Sequence, residues 1–340
     1  MNAAQTLQPP PLGVRILGCG SALPVGRLTN VDLEKLMDTS DEWIVQRTGI
    51  HERRVFDREG RGESTRTLGV TALKRALASA GLTGADLDLV LVATMTPDMM
   101  CPPVACRVAA EVGAGHIAAW DVGGACCGFV FALNSLAAQM RTGLYKTAAV
   151  VGSDTLTQHT RYDNSCRDTA ILFGDGAGAL VFQTTDDANR GLVAQAMHSD
   201  GSCWQDLYVP QHVQDFYGEV DESLLSTVRM NGRAVFKFAV KTFQDLICET
   251  LDMAGIQASD VAQFICHQSN ARILSAARDR FGIPEDRMLV NIGKYGNTVA
   301  ASVPLCYDEL MQAGRLHEGD LVMFVAFGGG LTWGSSLWRL

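Results

Sequence analysis

Short apolar runs rich in valine, leucine and isoleucine alternate with longer amphipathic segments along this chain. Runs at 14–17, 89–95, 148–152, 180–182, 192–197, 264–267 and 321–327 predict strands. Each is a brief apolar stretch bounded by polar or glycine-containing turns, as strands buried in a sheet are. Segments 66–81, 103–113, 126–142, 233–254, 270–281 and 299–313 carry apolar positions at helical spacing and predict helices. Alternation of the two predicts an α/β chain layered about a buried sheet.

The pattern also repeats. Ala80-Gly81-Leu82-Thr83-Gly84-Ala85-Asp86-Leu87 has a counterpart in the second half of the chain, at Ala254-Gly255-Ile256-Gln257-Ala258-Ser259-Asp260-Val261. In each copy a helix ends, the chain turns and an apolar strand begins. The stretch 140–143, ahead of one predicted strand, matches 311–314 at nearly the same offset. The turn Phe173-Gly174-Asp175-Gly176 matches Phe327-Gly328-Gly329-Gly330 at a smaller offset, so the first copy carries an insertion near 155–170. Two other stretches, 25–65 and 202–229, have no counterpart. The chain therefore reads as two copies of one unit, 1–185 and 186–340. Segments inserted into such a scaffold are where specificity sits.

Composition narrows the function classes. The 340 residues are 47% hydrophobic and 19% charged, enough for a packed core of about two domains and unlike a disordered chain. A formal net charge of −9 argues against nucleic acid as a partner. No apolar run approaches the ~18 residues that span a bilayer. The opening MNAAQTLQPPPLG lacks the basic and then apolar stretches of an export signal, so a cytoplasmic protein without a membrane partner is expected. Ten cysteines form no CxxC pair and no zinc-ligand spacing; reduced thiols and no metal are expected. Neither Gly18-Cys19-Gly20 nor Gly174-Asp175-Gly176-Ala177-Gly178 completes a nucleotide-binding fingerprint.

Cys126 is the candidate nucleophile. It stands in Gly123-Gly124-Ala125-Cys126-Cys127-Gly128-Phe129, where an extended segment turns into a predicted helix. Unpaired N–H groups and the helix dipole at such a turn favour thiolate, and small neighbours admit a bulky thioester. Two buried cysteines in a tight strand–helix joint would give the same pattern. His267 ends a predicted strand of the second copy, where the first copy has Ala93. A strand-end histidine is also a common structural residue. Asn297 stands as far ahead of Gly314 as Cys126 stands ahead of Gly143. That spacing predicts that Cys126 and Asn297 open equivalent helices and meet near a pseudo-twofold centre, although an asparagine there also reads as an N-cap. Gly328, Gly329 and Gly330 bare their backbone N–H groups at a strand end, which suits an oxyanion hole or a plain turn. Arg233, Lys237 and Lys241 recur at every fourth position on a predicted helix, with Arg272 able to join them. An acidic partner and a merely solvated helix face both fit that stripe.

Taken together, TSDEWIVQRTGI (39–50), the Cys126 segment, FGDGAGALVF (173–182), HQSNARI (267–273), YGNTVAASVP (295–304) and FGGGLTWGSSL (327–337) resemble β-ketoacyl-acyl carrier protein synthase III. The resemblance covers nearly the whole chain in order. It implies a thiolase-like α/β fold, internally duplicated in a five-layered α-β-α-β-α arrangement. It implies a homodimeric acyltransferase that condenses an acyl-CoA primer, acetyl-CoA by default, with malonyl-acyl carrier protein, without metal or cofactor. Cys126, His267 and Asn297 would be catalytic, Gly329 would complete the oxyanion hole, and Phe327 would shape a dry pocket. Trp43, Arg47 and Arg167 would bind CoA, with Trp43 and Arg167 flanking the adenine. Arg233, Lys237, Lys241 and Arg272 would receive the acyl carrier protein.

The chain departs from the family pattern at three places. Cys127 stands where alanine is common, and Cys266 where proline is usual. Met100 and Cys101 occupy a stretch that in the family helps set acyl-pocket depth across the dimer interface, and a residue as small as cysteine suits a longer or branched primer. Two alternatives stay open: a related acyl-CoA-dependent enzyme with another primer or acceptor, and a Cys-His-Asn hydrolase.

Overall fold

The computed structural model describes residues 12–57 and 62–340. The N-terminal stretch read for an export signal lies, through residue 11, outside the described residues. The first part of the chain forms β1 (Gly13–Ala22), β2 (Gly26–Thr29), α1 (Asn30–Glu34), α2 (Asp41–Thr48), β3 (Glu52–Val55) and α3 (Thr65–Ala80). It continues through β4 (Leu89–Ala93), α4 (Val104–Glu111), β5 (Ala118–Val122), α5 (Gly128–Arg141), β6 (Thr147–Asp154), α6 (Arg167–Ala170) and β7 (Gly176–Thr185). The second part forms β8 (Gly191–Ser199), β9 (Leu207–Tyr208), β10 (Arg229–Met230), α7 (Gly232–Ala254), β11 (Gln263–Cys266) and α8 (Ala271–Phe281). It ends with α9 (Ile292–Tyr295), α10 (Ser302–Gln312), β12 (Leu321–Gly328) and β13 (Thr332–Arg339).

Two mixed sheets carry the fold. The first runs β1-β7-β6-β4-β5 and the second β8-β13-β12-β11, the same order without the last strand. Registers repeat as well: Val92 faces Val151 in the first sheet and Cys266 faces Val325 in the second, at the offset that separates Gly81 from Gly255. The repeated Ala-Gly punctuation has a physical basis. Gly81 and Gly255 end α3 and α7 in the left-handed conformation, at φ 68° and 66°, which glycine adopts without a side-chain clash.

Side chains of the central strands alternate between two layers, as strand geometry requires. Leu89, Leu91 and Ala93 pack inward with Phe129 and Leu136 of α5 and Val303 and Tyr307 of α10, which lie between the sheets. Val90 and Val92 point outward to Leu73 and Leu77 of α3 and Val108 of α4. Phe243 and Ile247 of α7 and Leu274 of α8 cover the far face of the second sheet. The result is five layers, α-β-α-β-α, with every residue of β4 and β6 buried. No helix among the described residues is long and apolar enough to cross a membrane.

The structure extends or adds elements where local signals mislead. β1 continues past the predicted 14–17 because Gly18 and Gly20 let α3 approach; a Cβ on either would lie 2.4 or 2.5 Å from the backbone of Ala76. β13, the final strand after the glycine-rich turn 327–330, lacks a continuous apolar run because Ser335 and Ser336 interrupt it. Both are buried and satisfied, Ser335 Oγ by Thr250 Oγ1 at 2.6 Å and Ser336 Oγ by Trp338 Nε1 at 2.6 Å.

One inference from the duplication needs correction. The turns 125–127 and 299–301, and the helix starts Gly128 and Ser302, keep the same offset as Gly81 and Gly255. Helix α10 has 11 residues against 14 in α5, so counting back from the helix ends misplaces the match by three. The counterpart of Cys126 is Ala300, and that of Asn297 is Gly123. Asn297 precedes the turn and opens no helix equivalent to that of Cys126.

Candidate active site

Cys126 sits at the centre of the tight turn between β5 and α5, 5% exposed. Small residues permit the turn. A Cβ on Gly124 would lie 2.9 Å from the Gly128 Cα, and one on Gly328 would lie 2.6 Å from the Cys126 nitrogen. The end of β12 is thereby pressed against the N–H of Cys126, and Gly329 follows on the wall of the same space. The neighbouring Cys127 turns away: its Sγ reaches the Ala326 carbonyl at 3.5 Å inside the core.

His267 continues β11, its N–H bonded to the Val325 carbonyl at 2.8 Å. Its Nδ1 lies 2.7 Å from Ser302 Oγ, and its ring meets Phe327 edge-on with centroids 5.6 Å apart. Burial drives its pKa down to about 3, so the imidazole is neutral. Asn297 is held by backbone bonds on both sides, its N–H to the Leu172 carbonyl at 2.8 Å and its carbonyl to the Gly174 N–H at 3.0 Å. Its Oδ1 accepts the Val299 N–H at 2.9 Å, which leaves the amide NH2 as a donor. The Asn297 amide is near enough to the Cys126 thiol to favour its charged form.

These three side chains line one cavity with Phe173 and Phe327. A second, largely apolar cavity shares Cys126, Phe173 and Leu207 with it and continues past Leu156, Val228 and Val299. Cys126 thus stands where two spaces meet.

The thiolate expected at a helix start is not the resting state. Burial, reinforced by the Asp154 carboxylate, pushes the Cys126 thiol up to about 12, against the lowering effect of Asn297 and of its own N–H. Asp154 and Asp175 are the site groups that sequence reasoning missed. Asp154, at the end of β6, accepts the N–H groups of Met95 at 2.8 Å and Ala300 at 3.2 Å. Asp175 accepts those of Thr157 at 2.9 Å and Phe56 at 2.8 Å. Burial raises them to about 6 and about 7. Their available signal was the pairing of small residues with an acid at a strand end, in Gly152-Ser153-Asp154 and Phe173-Gly174-Asp175.

Residues of two inserted segments cluster one hydrogen bond away from the wall of the first cavity. Trp43 on α2 lies beneath two guanidinium groups, Arg47 at 4.7 Å and Arg167 of α6 at 4.9 Å from its ring centroid. Asn270 links this cluster to the cavity wall, donating its Nδ2 to the Arg47 carbonyl at 3.0 Å. Arg233, Lys237 and Lys241 are exposed on α7, and Arg272 joins them by stacking on Phe236 at 5.1 Å. Lys241 is tied to Asp245 at 2.7 Å, and Arg280, which sequence reasoning overlooked, extends the same groove. Among the described residues no cluster of metal-ligating side chains forms.

Comparison with known proteins decides the family. Residues 120–201 match the model for 3-oxoacyl-[acyl-carrier-protein] synthase III, and residues 251–340 match the model for its C-terminal region. The chain belongs to the 3-oxoacyl-[acyl-carrier-protein] synthase III family. Cys126 falls in the first matched segment; His267, Asn297 and Gly329 fall in the second. A β-ketoacyl-[acyl-carrier-protein] synthase III of Bacillus anthracis is 44% identical, over 95% of this chain and 98% of that one. The crystal structure of the synthase III from Aquifex aeolicus superposes with a TM-score of 0.88 at 39% identity, covering 96% of this chain and all of that one. The priming β-ketosynthase of the R1128 polyketide pathway superposes at 0.89 with 33% identity, covering 98% and 97%. The family's thiolase-like architecture is the five-layered fold described above, and the chain is a condensing acyltransferase of that family.

Proposed function

We propose that this enzyme primes fatty acid synthesis by decarboxylative Claisen condensation of an acyl-CoA with malonyl-acyl carrier protein. The observation that carries the reading is the convergence of the Cys126 thiol, the neutral His267 imidazole and the Asn297 amide on one buried cavity. In the first half-reaction Cys126 sulfur attacks the acyl-CoA carbonyl. The N–H groups of Cys126 and Gly329 hold the tetrahedral oxyanion. The thiol proton departs with the CoA sulfur, leaving an acyl-cysteine and free CoA.

Malonyl-acyl carrier protein then enters from the same side. His267 and Asn297 donate hydrogen bonds to its thioester carbonyl and carry the enolate charge when the C–CO2 bond breaks. Phe327 keeps water from the carboxylate, which favours that loss. The enolate carbon attacks the acyl-cysteine, and the sulfur of Cys126 leaves as thiolate and takes a proton from water. The products are β-ketoacyl-carrier protein and CO2. Every charge is handled by these residues, so no step is assigned to a metal or cofactor.

Trp43, Arg47 and Arg167 are assigned to CoA, whose adenine matches a ring flanked by guanidinium groups. The stripe Arg233, Lys237, Lys241 and Arg272 is assigned to an acidic carrier protein. A second copy of the chain is assigned to the free edge of β5, where Trp120 is exposed. Met99 and Met100 stand exposed beside it, just ahead of α4, whose first N–H groups Asp121 of β5 accepts at 2.8 Å. Ten unpaired cysteines suit a reducing cytoplasm.

Acetyl-CoA is the default primer. The apolar cavity beyond Cys126 supports a longer or branched acyl group as a second reading. Intact-mass measurement after exposure to a panel of acyl-CoAs ranks the primers, and Cys126→Ala should abolish every adduct. Retained acylation in that variant, or no CO2 from malonyl-carrier protein with the acylated enzyme, overturns the condensing assignment.

A further inference from the structure

The two halves of the molecule allow one position to be compared with its own duplicate. His267 corresponds to Ala93, and Ser302 to Gly128, in the register that the paired strands and helix starts share. In the first half these positions touch: a Cβ on Gly128 would lie 3.4 Å from the Ala93 Cβ. In the second half the same neighbouring positions hold His267 and Ser302, joined at 2.7 Å. An apolar contact in one copy is thus a hydrogen-bonded pair in the other. The histidine and the serine differ from the duplicate together.

The direction of that bond can be read from the surroundings. Ser302 is 1% exposed at the first position of α10, and its Oγ already accepts the Gln268 N–H at 3.3 Å. Among the described residues His267 Nδ1 is the only acceptor in reach of the serine proton. Were Nδ1 protonated instead, Oγ would accept twice and its own proton would be buried without a partner, which folded proteins avoid.

We propose that Ser302 is a positioning residue that donates to His267 Nδ1 and fixes the imidazole as its Nε2–H tautomer. The ring therefore presents a donor, and no acceptor, to the cavity. His267 is committed to holding the enolate and does not receive the thiol proton of Cys126. This inference rests on the condensing reading of the site only for its kinetic consequence; the tautomer itself does not.

The test uses the full chain with 15N-labelled histidine, together with Ser302→Ala and Ser302→Thr. Nitrogen chemical shifts and couplings of His267 should report Nε2 protonated and Nδ1 unprotonated in the parent. Ser302→Thr, which keeps the hydroxyl, should retain that signature; Ser302→Ala should lose it. Acylation of Cys126 by acyl-CoA, followed by intact mass, should persist in Ser302→Ala. Condensation kcat should drop roughly 10–100-fold, as when the partner that orients a metal-bound histidine is removed, with little change in KM for malonyl-carrier protein. Threonine should restore it. A parent protein with Nδ1 protonated, or Ser302→Ala condensing within twofold of the parent, overturns the proposal. A parent that has the Nε2–H signature but releases no CO2 would instead overturn the condensing reading and leave the role of Ser302 standing.

Discussion

Ala125 and Val299 occupy duplicate positions in the two halves, and both hold left-handed backbone, at φ 47° and 53°. Each opens the tight turn that leads into a central helix. Non-glycine residues resist this conformation, a β-branched one most of all. The two turns pack against the sheet of the opposite half. Gly328 of β12 abuts Cys126, and Gly152 of β6 abuts Ala300, where a Cβ would meet its carbonyl oxygen at 2.4 Å. Tertiary packing therefore holds a backbone that the local sequence disfavours, and the first of these turns carries Cys126, the proposed nucleophile.

Replacing Ala125 with valine should expose that strain. A branched side chain at a positive φ is expected to lower stability by about 1–3 kcal/mol and to slow acylation of Cys126. Thermal unfolding and intact-mass kinetics with acyl-CoA check it; an unchanged Tm with normal acylation would refute the strained-turn account.

The neutral state of His267 has a consequence for stability. Its folded pKa, about 3, lies below the unfolded value of 6.5, so the unfolded chain binds the extra proton between these limits. Stability from this group is complete above pH 6.5 and is lost as pH falls from there towards 3. Asp154 and Asp175 work oppositely, since their raised folded values make the native state the better proton binder from about pH 4 to 6 or 7. A comparison of His267→Asn with the parent cancels the aspartates. Moving from pH 7.5 to 5 should improve the variant relative to the parent by about 2 kcal/mol in urea unfolding. A pH-independent difference would mean that the imidazole is not held neutral.

Arg53 is fully buried and carries its charge with no carboxylate in hydrogen-bond reach among the described residues. Its Nη atoms donate to Asn30 Oδ1 at 2.9 Å, the Leu28 carbonyl at 3.1 Å and the Ile171 carbonyl at 2.8 Å, and burial lowers its pKa to about 10. It thereby joins β2 and α1 to the end of α6, whose Arg167 stacks on Trp43. Arg53→Met should destabilise the fold by about 3 kcal/mol or more, because two buried acceptors and a half-buried one lose their donor at once. Arg53→Lys, with one compact ammonium, should recover only part of this. Chemical denaturation of the three proteins distinguishes these outcomes.

The exposed stripe on α7 makes a separable prediction. Arg233→Glu combined with Lys237→Glu should raise KM for malonyl-carrier protein about tenfold or more, most strongly at low salt, while acylation by acyl-CoA continues. Equal loss in both half-reactions would point to a damaged fold rather than a docking surface.

Features that depend on neighbours along the chain were legible in the order of residues alone. Apolar runs such as 148–152 and 321–327 mark strands covered on both faces, Gly81 and Gly255 end helices by accepting positive φ, and small residues around Cys126 leave it reachable. Features that depend on neighbours in space came from packing. Burial against Asp154 sets the protonation of Cys126, and the shorter α10 moves Asn297 out of register with it. Strand β13 hides its buried serines behind partners on α7 and within itself. The hydrogen bond from Ser302 to His267 exists because β11 and α10, distant in sequence, pack side by side. Dielectric surroundings and hydrogen-bond partners arise only once the sheets close on the central helices, so no local pattern of residues could encode them.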